Sequence, residues 1–218
     1  MKNPAPDFPF SALLLVGGRS IRFGSDKALQ VLPGHAEPLW SCQLTKLRAV
    51  GPAECLLSAG CGGPSFAPPP DVRTVRDAVP DQGPLAGLAA GLAAARTPWV
   101  LVLAVDLPGV GPEDLRELLN RCGGEASTPR GVVPFRDGRW EPLCAVYPRT
   151  LAGLAASRLA AGRRALQGFV DEAEAGGAVL RWPMEPGPDT ERRFRNVNRP
   201  EDADAASGPF PGVASGPS

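Results

Sequence analysis

The sequence predicts an α/β domain with a mostly parallel mixed sheet and a small antiparallel insertion. Three observations point to it. Short apolar runs alternate with segments of helical spacing through the first half of the chain, the pattern of βαβ units. The strongest run, residues 99–105 (WVLVLAV), is apolar throughout, as expected of a central parallel strand covered on both faces. Further on, Asp137-Gly138 separates two apolar runs, a hairpin signal that parallel crossovers do not need.

The elements follow in order. Residues 10–16 form an apolar run that stops at Gly17-Gly18 and read as a buried strand. Residues 37–50 have helical spacing, with Leu39, Trp40, Gln43, Leu44 and Leu47 on the inner face. Strands are predicted at 54–58, 72–75 and 99–105, and a tightly packed Ala-rich helix at 83–95. Residues 112–120 suit a helix with proline in its first turn. Beyond it come strands at 131–135 and 140–147, helices at 150–161 and 163–175, and short strands at 178–182 and 194–197. A last short helix is predicted at 200–206.

Composition sharpens this outline. Glycine and proline are each present 26 times among 218 residues, yet 43% of the chain is hydrophobic, too apolar for a disordered protein. The two facts fit if glycine and proline gather in turns and tails. They do so before residue 10, at 60–70 and at 208–218. We therefore expect a disordered segment at 1–9, one domain at 10–206 and a flexible tail at 207–218, with 60–70 as a mobile loop.

Lysine plus arginine and aspartate plus glutamate each number 23. That balance argues against a nucleic-acid coater or a polybasic membrane binder. Five cysteines in no CxxC spacing and one histidine argue against a zinc site and for free thiols in a reducing cytoplasm. No apolar run approaches membrane-spanning length, and no secretory signal is visible at residues 1–9.

The chemistry concentrates where predicted strands end. Leu15-Val16-Gly17-Gly18 leads into Arg19, Arg22 and Lys27. Adjacent glycines let a backbone approach phosphate oxygens, and three cations within nine residues suit a triphosphate; a surface turn that needs glycine is the plain alternative. Lys27 is one of only three lysines against 20 arginines, so its presence there invites a chemical reading. Asp106 follows the strongest strand, at the edge where open α/β sheets bind ligands. It offers a hard oxygen ligand for Mg²⁺ or, alternatively, a cap for the next helix.

The segment GGRSIRFGSDK resembles the LxGGxSxRMGxDK signature of the MobA-like nucleotidyltransferases, and within them the molybdenum cofactor guanylyltransferases. Asp77 with Gly83-Pro84-Leu85-Ala86-Gly87-Leu88 is similar to the family's D…GPLAGL segment. Leu103-Ala104-Val105-Asp106-Leu107-Pro108 is similar to its CDxP strand end, and Asn196-Val197-Asn198-Arg199-Pro200-Glu201-Asp202 to its NVNTPED segment. The four occur in the family's order. Phe23, Val16 and Arg199 depart from the pattern.

The resemblance implies a three-layer Rossmann-like nucleotidyltransferase fold and transfer of GMP from GTP to the terminal phosphate of molybdopterin. It implies catalytic roles for Lys27, Arg22 and Asp106, with Asp106 holding Mg²⁺. Nucleotide binding is expected at Leu15, Val16, Gly17, Gly18, Lys27, Ser58, Asp77, Gly83 and Asp106. Asp77 can accept from guanine N1–H and N2–H₂, contact ribose, or be a solvated loop acid. Acceptor binding is expected at Arg164, Asn196 and Asn198. Asn196 and Asn198 would share one face of a strand or simply form a turn, and Arg163 and Arg164 would take a phosphate or stay solvated. A passing contact with cofactor-insertion proteins is also implied. CTP or another phosphorylated acceptor is an alternative within the same fold, and a non-catalytic nucleotide-binding adaptor an alternative outside it.

Overall fold

The apolar run at the start of the domain forms β1 (Phe10–Leu15), buried at every residue. It lies between two parallel partners, β2 (Glu54–Ser58) and β4 (Trp99–Ala104), and β3 (Val72–Val75) extends β2 outward. The structure is a computed structural model and describes residues 6–17, 26–77, 82–123, 125 and 127–197.

The helices α1 (Leu39–Arg48) and α2 (Pro84–Ala94) connect these strands, and α3 (Pro112–Asn120) follows β4. Side-chain alternation on the strands assigns them to opposite faces. Phe10, Ala12 and Leu14 of β1, with Trp99, Leu101 and Leu103 of β4, pack with Leu39, Leu44 and Leu47 of α1 and Leu115, Leu118 and Leu119 of α3. Leu13, Leu15, Val100 and Val102 face the other way, against Leu85, Leu88 and Leu92 of α2. The sheet is thus the middle of three layers.

The second half completes the sheet with mixed pairing. β7 (Cys144–Pro148) runs antiparallel to β4 and to β5 (Gly131–Arg136). β6 (Arg139–Trp140) pairs antiparallel and β8 (Val179–Pro183) parallel with β5. The sheet order is β3-β2-β1-β4-β7-β5-β6, with β8 on β5. The β5–β6 turn has Asp137 and Gly138 both at positive φ, 50° and 75°, the twist that a two-residue hairpin favours. Helices α4 (Ala152–Ala160) and α5 (Leu166–Ala175) join α2 on its face through Ala155, Phe169, Val170 and Ala173.

Four expectations need correction. The strand expected at 140–147 is two strands, because Pro142 brings no N–H to the ladder and the Glu141 carbonyl accepts from the Cys144 amide at 3.3 Å in a turn. The helix expected from residue 163 starts at Leu166, since the Arg163 amide turns back to the Arg158 carbonyl at 2.8 Å. Residues 194–197 are not a strand. They follow a short helix, α6 (Pro188–Arg193), and Phe194 and Val197 both face inward, a three-residue spacing that strand alternation would have split between faces. The Gly/Pro-rich loop at 60–70 is tied down, with Phe66 stacked on Trp40 (ring centroids 4.4 Å apart) and the Ser65 hydroxyl donating to Asp26. The predicted helix at 200–206, the tail at 207–218 and residues 1–5 of the starting segment lie outside the described residues. Among the described residues no helix is long and apolar enough to cross a membrane.

Candidate active site

β1 and β4 end side by side at the carboxyl edge of the sheet, and the Val105 amide donates to the Leu15 carbonyl at 2.9 Å just past both strands. Asp106 is the next residue. It does not cap α3, whose first turn is closed by the Gly111 amide donating to Asp114 Oδ2 at 2.9 Å. Its carbonyl accepts from the Val197 amide at 3.0 Å, so the side-chain carboxylate is what the turn presents.

Lys27 reaches the same point from the opposite side. A 3-10 turn, Lys27–Leu29, begins after Asp26, whose Oδ1 accepts from the Ala28 amide at 3.0 Å. Ala28 is fully buried and anchors the turn. Lys27 Nζ then lies 3.6 Å from Asp106 Oδ2, and the two side chains remain 20% and 25% exposed. A cation and a carboxylate that meet at a strand edge yet stay open to solvent are placed to handle a charged ligand.

Leu15 and Val16 are buried, so only their backbone borders the edge. Gly17 also packs against a neighbouring segment. Its amide donates to the Ser58 carbonyl at 3.2 Å, beside the Val16 amide at 2.9 Å, so it is not directed at a ligand. A Cβ on Gly17 would stand 2.9 Å from the Ala59 carbonyl carbon and the Gly60 nitrogen; glycine is required because two backbones touch. Gly18, Arg19 and Arg22 lie outside the described residues.

A second corner forms past β2 and β3. Ser58 is 2% exposed, and its hydroxyl donates to Asp77 Oδ1 at 3.4 Å. The Ser58 hydroxyl is thus directed at Asp77. Burial pushes the Asp77 carboxyl up from its ordinary value, and the Ser58 hydrogen bond opposes that rise. Gly83 has φ 74°, with open space where a Cβ would be, so its left-handed backbone is what turns the chain into α2. The Ala86 amide bonds to the Gly83 carbonyl at 3.1 Å.

The acceptor-side residues meet this edge less directly. β7 is antiparallel to β4, so α4 starts at the amino edge and the 161–165 connection returns to the carboxyl edge. There Arg163 is committed: its guanidinium and that of buried Arg158 both bond Glu172. Arg164 is exposed. Asn196 is exposed beside Val197, which holds the Asp106 carbonyl. The argument that Asn196 and Asn198 share a strand face fails with the strand itself, and Asn198 lies outside the described residues.

Two features escaped the sequence. Gln43 is fully buried on α1, and its Nε2 donates to the carbonyls of Ala104 (3.2 Å) and Leu107 (2.9 Å), which flank Asp106. Lys46, one turn later, donates to the Pro108 carbonyl at 2.7 Å. The available signal was a polar side chain on an otherwise apolar helix face. The other feature is a half-buried ion pair, Arg136 Nε to Glu141 Oε1 at 2.8 Å. It lies just beyond Leu143, whose carbonyl accepts from the Ala104 amide at 2.8 Å. Burial raises the pKa of Glu141, and Arg136 counters that effect.

The chain is 34% identical over 203 residues to the molybdenum cofactor guanylyltransferase of Pseudomonas fluorescens, covering 92% of this chain and 95% of that one. It is 34% identical over 200 residues to a probable molybdenum cofactor guanylyltransferase of Deinococcus radiodurans, covering 92% and 95%. Among solved structures it shares its fold with molybdopterin-guanine dinucleotide biosynthesis protein A of Archaeoglobus fulgidus (TM-score 0.62, 22% identity, 90% and 96% of the two chains). It also shares it with 2-C-methyl-D-erythritol 4-phosphate cytidylyltransferase of Thermus thermophilus (TM-score 0.58, 21% identity, 89% and 95%). Residues 12–175 match the MobA-like NTP transferase domain, the stretch that carries Lys27, Asp77 and Asp106, and the chain belongs to that family.

Proposed function

We propose that this protein transfers GMP from GTP to the terminal phosphate of molybdopterin. The observation that carries this reading is the Lys27–Asp106 pair, 3.6 Å apart and open to solvent where β1 and β4 end. The guanylyltransferase names of relatives at 34% identity supply the nucleotide and the acceptor.

In the reaction an oxygen of the acceptor phosphate attacks the α-phosphorus of GTP. The bond from that phosphorus to the bridging β-phosphate oxygen breaks, and pyrophosphate leaves. The attacking phosphate is already ionised, so the chain need supply no base. Its work is positioning and charge neutralisation.

Lys27 would hold triphosphate oxygens with a compact ammonium that arginine does not reproduce. Arg22 and the Gly18 amide join it by resemblance to the family signature. Asp77 would accept from the guanine edge, supported by Ser58. Arg164, Asn196 and Asn198 are proposed for the acceptor.

Asp106 is the proposed Mg²⁺ ligand. The donor set suits a hard cation, because the carboxylate faces the cleft while the Asp106 carbonyl is already bonded to Val197. Among the described residues no group of three or more His, Cys, Asp or Glu surrounds it, so phosphate and water oxygens would complete the shell, as Mg²⁺ accepts. When bound, Mg²⁺ would neutralise phosphate charge as a Lewis acid. Five free thiols support a cytoplasmic location.

The test is transfer of labelled GMP to molybdopterin by wild type, Lys27→Ala and Asp106→Ala. Each variant should fold normally and lose at least about 10²-fold in turnover, the scale of a missing transition-state charge contact. Folded variants with near-normal turnover would refute the mechanism. Greater stabilisation by CTP than by GTP in thermal unfolding would overturn the choice of base.

A further inference from the structure

Asp106 sits in a turn, and a carboxylate in a turn is only as well placed as the backbone that carries it. Three carbonyls within five residues surround it, those of Ala104, Leu107 and Pro108. All three accept from one helix: Gln43 Nε2 bonds the first two at 3.2 and 2.9 Å, and Lys46 Nζ bonds the third at 2.7 Å. Residues three apart on a helix share a face, so α1 turns one polar edge toward this loop.

The same helix also holds the Lys27 side. The first amide of α1, Leu39 N–H, donates to the Gln30 carbonyl at 2.8 Å, and the Gln30 amide bonds back to the Lys27 carbonyl at 3.1 Å. One rigid element therefore contacts both turns that face each other across the 3.6 Å gap.

Packing alone does not call for glutamine at this position. Its neighbours on the inner face are Leu39, Leu44 and Leu47, all buried in one apolar cluster. Gln43 is itself fully buried, and its Oε1 has no hydrogen-bond partner among the described residues. A methionine of similar length would fill the space without burying an unpaired acceptor. What the amide supplies is two N–H bonds to carbonyls on either side of the Val105-Asp106 pair.

We propose that Gln43, seconded by Lys46, is the positioning residue of the site: α1 clamps the Asp106 turn and sets its carboxylate opposite Lys27. This rests on the proposed role of Asp106 as a metal ligand. Neither Gln43 nor Lys46 touches substrate; both act through the turn.

The experiment compares wild type, Gln43→Met, Lys46→Met and Asp106→Asn by two readouts that need no turnover. The first is amide hydrogen exchange of residues 105–110 against the centres of β1 and β4. The second is Mn²⁺ binding in the presence of GTP, followed by electron paramagnetic resonance. Gln43→Met should speed exchange in the turn by about tenfold, the scale of one or two lost hydrogen bonds, and leave the strand centres unchanged. Mn²⁺ affinity should fall by about 10-fold or more, as when a residue supporting a metal ligand is removed. Asp106→Asn should lose Mn²⁺ without loosening the turn. In turnover, Gln43→Met should lose kcat with the KM for GTP nearly unchanged, and excess Mg²⁺ should restore part of its rate but none to Asp106→Asn.

Should Gln43→Met fail to fold, Lys46→Met frees the Pro108 end alone and must show the same signs in weaker form. Exchange and Mn²⁺ affinity at wild-type values in the folded variants would overturn the clamp, as would wild type that binds no Mn²⁺. A loosened turn and weakened Mn²⁺, in a protein that never transfers GMP, would uphold the clamp and refute the proposed function.

Discussion

Replacing Lys46 by methionine should change how stability responds to pH, in a direction and amount the structure sets. The Lys46 ammonium is only partly exposed, and its pKa is lowered from 10.5 to about 8. The cause is desolvation by burial, partly offset by the nearby Asp114 carboxylate. Between those two values the unfolded chain keeps the proton that the folded chain has released. Wild-type stability from this group therefore rises with pH across that window. One pKa unit is worth about 1.4 kcal/mol, so the full rise is about 3 kcal/mol, an upper figure because the side chain keeps some solvent contact. Lys46→Met lacks this component. The stability of wild type minus that of Lys46→Met should stay flat below about pH 8 and then climb in favour of wild type by up to about 3 kcal/mol towards pH 10.5. At neutral pH the variant gains by losing a buried charge and loses by orphaning the Pro108 carbonyl, about 1–3 kcal/mol each way. The shape of the curve is therefore more telling than its offset. Urea unfolding from pH 7 to 10.5 measures it, and subtracting the two proteins removes groups that do not interact with Lys46. A difference that stays constant across the range would show that the ammonium is not desolvated against the Asp106 turn, and the reasoning would fail.

Three further outcomes follow from other parts of the molecule. Gly91→Ala would drive a methyl group into the Leu13 side chain, which is fully buried; thermal unfolding should show a loss of about 1–3 kcal/mol, the range of core overpacking, and a neutral result would mean that α2 can lift off the sheet. Glu54 feels burial most strongly, which alone would raise its pKa, but the Arg96 amide, the Ser11 hydroxyl and Arg73 together hold it below the ordinary 4.5. Its contribution is present above 4.5 and is lost as pH falls through the lowered folded value, so the advantage of wild type over Glu54→Gln should shrink on acidification in urea unfolding, and a constant gap would contradict it. Asp77→Asn should weaken GTP binding by at least about tenfold, because a site built to accept two N–H groups no longer can, and should leave CTP binding nearly unchanged in calorimetry. Because burial raises the Asp77 pKa, wild-type GTP affinity should begin to fall above the usual carboxylate range as pH drops, and equal losses for both nucleotides would remove Asp77 from base selection.

The layers were legible because strand alternation and helical spacing are local patterns. Phe10, Ala12 and Leu14 against Leu13 and Leu15 sort the two cores from a six-residue string. Asp106 stood out because it follows a strand end, a place that sequence marks, and Lys27 because lysine is scarce in this chain. What failed depended on contacts between distant segments. Phe194 and Val197 read as strand residues because their shared inward direction is set by packing beside Asp106, not by their neighbours in sequence. At Gly17 the sequence shows a glycine pair but not the Ala59–Gly60 backbone against it, which lies more than forty positions on. The same holds for Ser58, whose hydroxyl turns to Asp77 across a whole loop and strand.

The way the site is held also bears on how the fold can persist at 19–22% identity to solved structures of its kind. Three of the bonds that fix the Asp106 turn are backbone to backbone: Val105 to Leu15, Val197 to Asp106 and Ala104 to Leu143. Any side chains can accompany such bonds, so substitution leaves the edge in place as long as strands β1 and β4 stay paired. The contacts from Gln43 and Lys46 do need particular residues. If the backbone bonds alone sufficed, Gln43→Met would leave exchange in the Asp106 turn at its wild-type rate, whatever the balance between the relieved Oε1 and the two carbonyls that lose a donor. On the clamp proposed above, what the glutamine adds is a carboxylate that does not wander from Lys27. Gln43→Met relieves one unpaired oxygen and takes an N–H donor from two carbonyls, so its global stability should move by no more than about 1–3 kcal/mol while exchange speeds in the Asp106 turn and not at the centres of β1 and β4, a local loosening that a glutamine serving the core alone would not produce.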